Sequence, residues 1–248
     1  MKSTKFGIRY VISLSLVMLF ACSLAVMLNS RSIKYSAVST EASSETNAEF
    51  TVIIDAGHGG EDGGAVGVDG SFEKDLNLDI AFLLRDMLES NGIKTVLTRD
   101  EDILLYDRNV DYHGRKKVLD LAARLKIGKE TKNSVFVSIH MNSFPQQQYS
   151  GLQVWYSPND SRSAEIAENV RKNVVSLLQE QNTRKIKPAS SNIFLLNRLE
   201  SPAILIECGF LSNPRECSLL NTKEYRRQLA FSIFVSISEF ILETDVDF

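Results

Sequence analysis

Hydrophobic and polar positions divide the chain into three stretches with different rhythms. Val11 to Leu28 runs for 18 residues without a charge, Ser36 to Glu49 is rich in Ser, Thr and Glu with no apolar period, and from Phe50 onward short β-rich runs alternate with helical ones. An apolar run of that length suits membrane entry, a polar aperiodic run suits a flexible linker, and the alternation suits one α/β domain. The expected boundaries are 1–34 for a signal or anchor segment, 35–49 for the linker and 50–248 for a single domain.

Within that domain, FTVIID (50–55), KTVLT (94–98), SVFVSIHM (134–141), LQVWYS (152–157), NIFLL (192–196) and AILIE (203–207) read as strands. Their unbroken apolar character predicts burial on both faces. Leu76, Ile80, Leu83, Leu84, Met87 and Leu88 keep helical spacing, with Gly92 as the stop, and 116–126, 164–178 and 225–242 continue as amphipathic helices. The predicted fold is α/β: a mostly parallel, twisted sheet of about six strands with helices on both faces, preceded by an N-terminal membrane helix.

Composition changes the picture at one end only. The 248 residues carry a formal charge of −3, but the first 34 hold Lys2, Lys5, Arg9, Arg31 and Lys34 and no acid, which leaves −8 for the remainder. Nothing in this balance points to nucleic acid. Basic residues ahead of the apolar run keep the N-terminus inside, and no A-x-A triplet follows Leu28, so residues 11–28 read as an anchor in preference to a cleaved signal, with the rest exported to the extracytoplasmic side. Lipidation at Cys22 is disfavoured by Phe20 and by the apolar residues that continue to Leu28. Export would permit a bridge between Cys208 and Cys217, although two small buried thiols are the simpler reading.

Candidate chemistry falls where ligands bind α/β sheets, beyond the carboxyl ends of strands. DAGHGGEDGG (55–64) follows the first strand, His140 and Asn142 end the third, Glu207 ends AILIE, and Glu73 opens the first helix. Two histidines and one carboxylate form a common catalytic zinc set, which leaves a position for water, while an unliganded carboxylate such as Glu207 can take its proton. Spacing alone does not choose Glu73 over Asp55, Glu61, Asp62 or Asp75 as the acidic ligand, and each residue singly could be a cap or a loop donor. The glycines could form a phosphate nest, but Asp55, Glu61 and Asp62 would repel an anion, so they read instead as room for close backbone approach. A Cys208–His140 nucleophilic pair is the weaker alternative.

DAGHGGEDGGA (55–65), EKDLNLDIA (73–81), TRDED (98–102), SIHMNS (138–143) and IECGFLSNP (206–214) resemble, in order, the landmarks of the zinc-dependent N-acetylmuramoyl-L-alanine amidases of the amidase-3 family. The resemblance covers 50–248 and is strengthened toward sporulation and germination members by GRKKVLDLAARLK (114–126) and NTRKIKPASSNIFLLN (182–197). It implies one Zn2+ held by His58, Glu73 and His140, Glu207 as general base, and hydrolysis of the amide between N-acetylmuramic acid and L-alanine in peptidoglycan. For the sporulation members it implies removal of stem peptides on the way to muramic δ-lactam in spore cortex. The sequence departs from many members at Ile127-Gly128-Lys129, and Asn142 to Gly151 is too short for the blocking helix of regulated relatives. A catalytically silent wall-binding or partner-activating module of the same fold is the competing expectation, and dependence on a protein partner stays open.

Overall fold

A computed structural model describes residues 50–107, 109 and 113–244. The expected anchor at 11–28 and linker at 35–49 lie outside these residues, and among the described residues no helix is long and apolar enough to cross a membrane.

Six strands form one mixed sheet: β1 (Thr51–Ala56), β2 (Lys94–Leu97), β3 (Ser134–Asn142), β4 (Gln153–Tyr156), β5 (Lys187–Pro188) and β6 (Ala203–Phe210). Their order is β2-β1-β3-β6-β4-β5. β2, β1, β3 and β6 run parallel, whereas β4 pairs antiparallel with β6 and carries β5 parallel to itself. Five helices accompany them among the described residues: α1 (Glu73–Ser90), α2 (Lys116–Glu130), α3 (Arg162–Leu177), α4 (Pro214–Leu220) and α5 (Lys223–Thr244).

The period-two alternation of strands sorts side chains to two unequal faces. Val52, Ile54, Val135, Val137, Ile139, Ile204 and Ile206 join Leu76, Ile80, Leu84 and Leu88 of α1 and apolar residues of α3 and α5 in the main core. Ile53, Phe136 and Ala203 pack on the opposite face against Leu195, Leu196 and Leu199, with Leu121 and Leu125 of α2 alongside. This second cluster is small, so the carboxyl ends of β1, β3 and β6 are left with an open cavity on that face.

α1 begins without a side-chain cap at Phe72. The glycine loop caps it instead: Glu73 N–H donates to Ala65 O and Lys74 N–H to Gly63 O, satisfying donors that a helix start leaves free. α1 ends as expected, with Gly92 at φ 78 and Ile93 N–H returning to Leu88 O.

The structure corrects two expectations. NIFLL (192–196) is a run of turns: its leucines share the smaller core cluster with Phe136 and Ile53, while Asn197 Nδ2 donates to the carbonyls of Ser190 and Ile193. The sixth strand is instead the two-residue β5, too short and polar to show a period. Gly128, at the expected departure, lets α2 come close: a Cβ there would sit 2.5 Å from Leu199 Cδ2. Cys208 and Cys217 are both free and buried, and the loop 143–151 forms no helix.

Candidate metal centre and active site

The turn after β1 brings His58 back toward β3. Gly59 and Asp62 exchange backbone hydrogen bonds, and Gly57 N–H donates to Ile139 O. His58 Nε2 lies 3.2 Å from Glu73 Oε1, and His140 Nδ1 lies 2.9 Å from the same oxygen. His58, Glu73 and His140 each offer a ligand atom, all within 4.8 Å of one another. The Glu73 side chain is 4% exposed and the two imidazoles are 16% and 20% exposed, so the carboxylate lies beneath and the rings at the mouth.

Glu73 is further fixed by Met141 N–H at 3.0 Å and Ala65 N–H at 2.7 Å, with Asn77 Nδ2 at 3.4 Å. Two glycines make room for the group. A Cβ on Gly57 would fall 2.3 Å from the His140 ring, and one on Gly64, itself at φ +68, would fall 2.5 Å from Glu73 Oε2 and 2.8 Å from His58 Cδ2. This is the close approach expected of the glycine-rich loop.

The alternatives for the acidic ligand are engaged elsewhere. Asp55 is buried with Arg124, Thr98 and Ser138, and Glu61 pairs with Lys116. Asp75 is exposed on α1. Asp62 sits 3.0 Å from His58 Nδ1, behind the ring, where a carboxylate orients a metal-binding imidazole.

The charges of the three groups are strongly coupled. Burial opposes ionisation of Glu73, yet hydrogen bonds and charges from His140 and His58 outweigh it and hold its carboxyl far below the usual range. Burial likewise opposes charge on His58, but Asp62 and Glu73 override it and push its pKa up to about 9. Two imidazoles and a carboxylate converging on one point match the donor set of zinc in hydrolytic sites, and the three residues therefore fit that ion.

Glu207 stands next to His140 in the β3–β6 register, just before an irregularity in that pairing. Burial pushes its carboxyl up to about 7, with His140 and His58 opposing and Glu73 adding. Its Oε2 is closed off from solvent and has no hydrogen-bond partner. Glu207, His58, His140, Lys117, Leu121 and Phe194 are among the residues lining a cavity of about 240 Å3. Cys208 points away into the main core, and burial followed by the charges of Glu207 and Glu73 raises its thiol, which removes the Cys208–His140 pair.

Sequence reasoning missed the buried cations under the loop. Arg124 of α2 is 1% exposed and bonds Asp55 at 2.6 Å and Asp120 at 2.8 Å. TRDED was visible as a motif, but a buried role for Arg99 within it was not.

An α/β sheet with a metal-ready trio and a neutralisable carboxylate at its carboxyl edge defines a class, that of hydrolases with a candidate metal centre. The family pattern of N-acetylmuramoyl-L-alanine amidase matches residues 52–239. The chain belongs to this amidase-3 family and is an amidase. It is 36% identical over 196 residues to the germination-specific N-acetylmuramoyl-L-alanine amidase of Bacillus subtilis strain 168, covering 77% of this chain and 80% of that protein. Its fold matches the CwlD amidase of Clostridioides difficile, solved in complex with the GerS lipoprotein, at TM-score 0.74 and 37% identity, over 78% of this chain and 98% of that one. The amidase AmiC2 of Nostoc punctiforme matches at TM-score 0.66 and 31% identity, over 78% and 97%.

Proposed function

We propose that the protein hydrolyses the amide between the lactyl group of N-acetylmuramic acid and L-alanine, with His58, Glu73 and His140 holding one zinc ion and Glu207 as general base. Zinc bound there supplies Lewis acidity to the amide carbonyl and lowers the pKa of water beside it. Glu207 accepts the proton of the attacking water and passes it to the departing amine, a role suited to a carboxyl held near neutrality. Asp62 sits 3.0 Å behind the His58 ring, and Leu121 and Phe194 form an apolar wall of the cavity.

The observation that carries this reading is the convergence of His58, Glu73 and His140 within 4.8 Å. Likeness to a germination-specific relative and to CwlD supports a place in spore-cortex maturation, where removal of stem peptides precedes muramic δ-lactam formation. The apolar segment 11–28 supports an exported, membrane-tethered location in the sporulating cell. The lipoprotein bound to CwlD makes a protein of that kind the partner to test.

Replacing Glu207 by Ala in the full chain should abolish turnover of muropeptides while zinc stays near one per chain. His58→Ala and His140→Ala should lose the zinc itself. Retained turnover in Glu207→Ala, or full zinc content in both histidine variants, would overturn the assignment.

A further inference from the structure

Three consecutive carbonyls at the end of β1 turn toward two buried arginines. Arg99 Nε donates to Ala56 O at 2.8 Å and its Nη2 to Gly57 O at 3.1 Å. Arg124 Nη1 donates to the same Ala56 O at 2.7 Å and its Nη2 to His58 O at 2.7 Å. Asn77 Nδ2 adds a second donor to Gly57 O at 3.1 Å. In a regular strand successive carbonyls point to opposite sides, so gathering three of them in one place requires the chain to break out of strand geometry. It does so at His58, whose φ of 63 is left-handed and uncommon for a residue with a side chain. Such a conformation persists only where surrounding bonds hold it.

From this arrangement we infer that Arg99 and Arg124 are positioning residues that clamp the Ala56–His58 backbone and so aim the His58 imidazole at Glu73 and His140. The inference rests on the reading of His58 as a metal ligand. A purely structural role is the alternative, and for Arg124 it has substance, because that residue also neutralises Asp55 and Asp120. Arg99 separates the two roles. Its four hydrogen bonds go to backbone carbonyls, those of Ala56, Gly57, Lys74 and Glu101, and it is 2% exposed. Burial and then the neighbouring Arg124 push its guanidinium down to about 10. Lys74 follows Glu73, so Arg99 ties the His58 turn and the start of α1 to one rigid group.

The test uses the full-length protein with Arg99→Ala, and with Arg99→Lys in case the alanine variant does not fold. Zinc affinity is measured by chelator competition, and hydrogen exchange of residues 56–60 is followed in the metal-free state. Either variant should bind zinc about ten- to a hundred-fold more weakly and exchange faster at 56–60 than wild type, with 134–139 unchanged. Methylguanidine should restore affinity to Arg99→Ala where methylamine does not. Wild-type zinc affinity in both variants, or unchanged exchange at 56–60, whatever the loss of thermal stability, would overturn the proposal. A wild type that binds no zinc would instead refute the metal reading; faster exchange at 56–60 would then still uphold the backbone clamp, and unchanged exchange would overturn it.

Discussion

Replacing Gly57 by Ala asks how much the metal centre depends on one missing methyl group. Gly57 is not among the left-handed positions, so alanine fits its backbone and the perturbation is one of volume alone. The added Cβ would lie 2.3 Å from His140 Cε1 and Nε2 and 2.7 Å from Nδ1, where ordinary contact begins at 3.4 Å. The ring would have to retreat by about 1 Å, a displacement that can cost roughly a hundred-fold in rate. It cannot retreat with its backbone, because β3 is paired on both sides by β1 and β6. Swinging the ring instead breaks its 2.9 Å contact with Glu73. Overpacking of this kind costs about 1–3 kcal/mol of stability. Zinc affinity by chelator competition and kcat/KM on a purified muropeptide should therefore both fall, the latter about a hundred-fold. Gly70→Ala is the control: it sits at φ +89 with nothing within 4 Å, so it should cost about 1–2 kcal/mol in backbone strain and leave kcat/KM alone. A Gly57→Ala enzyme within threefold of wild type in both quantities would refute this reasoning.

Further consequences concern stability. Glu207 has a folded pKa raised to about 7 from 4.5, so the native state binds the proton more tightly than the unfolded chain. Through Glu207 the stability of the metal-free protein should then fall as pH rises from about 4.5 to 7, by on the order of 3 kcal/mol, and it should go on falling toward pH 9 as His58, raised to about 9, gives up its proton. Urea titrations at several pH values should show the first of these falls flattened in Glu207→Gln. Phe136→Ala, emptying a fully buried site in the smaller core cluster, should cost about 3–5 kcal/mol in the same titrations. Asn213→Ala removes the α4 cap on Glu216 N–H and the tie to Gln147 O, and thermal unfolding should report about 1 kcal/mol.

Legibility in the sequence followed how local each cause is. β1, β3 and β6 declared themselves through unbroken apolar runs buried on both faces, and the helices α1, α2, α3 and α5 through the period that a buried stripe leaves. NIFLL failed because an apolar run marks burial without specifying backbone, and here Leu195, Leu196 and Leu199 cover the sheet from a turn. β5 pairs through Lys187 and Pro188 alone, which no propensity scale favours. For the site, His58, His140 and Glu207 were visible as chemistry placed at strand ends. That Glu73, and none of its acidic neighbours, meets the two histidines depends on space, through Gly57 and Gly64, and on the loop carbonyls that cap α1. Arg99 and Arg124 stayed hidden because a charged residue reads as surface until partners from distant segments close around it.

Mass analysis of the products released from purified peptidoglycan by the zinc-loaded full-length protein tests the central claim most directly. The account predicts stem peptides with a free L-alanine amino terminus and glycan strands with intact, unsubstituted lactyl carboxylates, both absent with Glu207→Ala. Cleavage within the glycan or within the peptide, or identical release by Glu207→Ala, would contradict it.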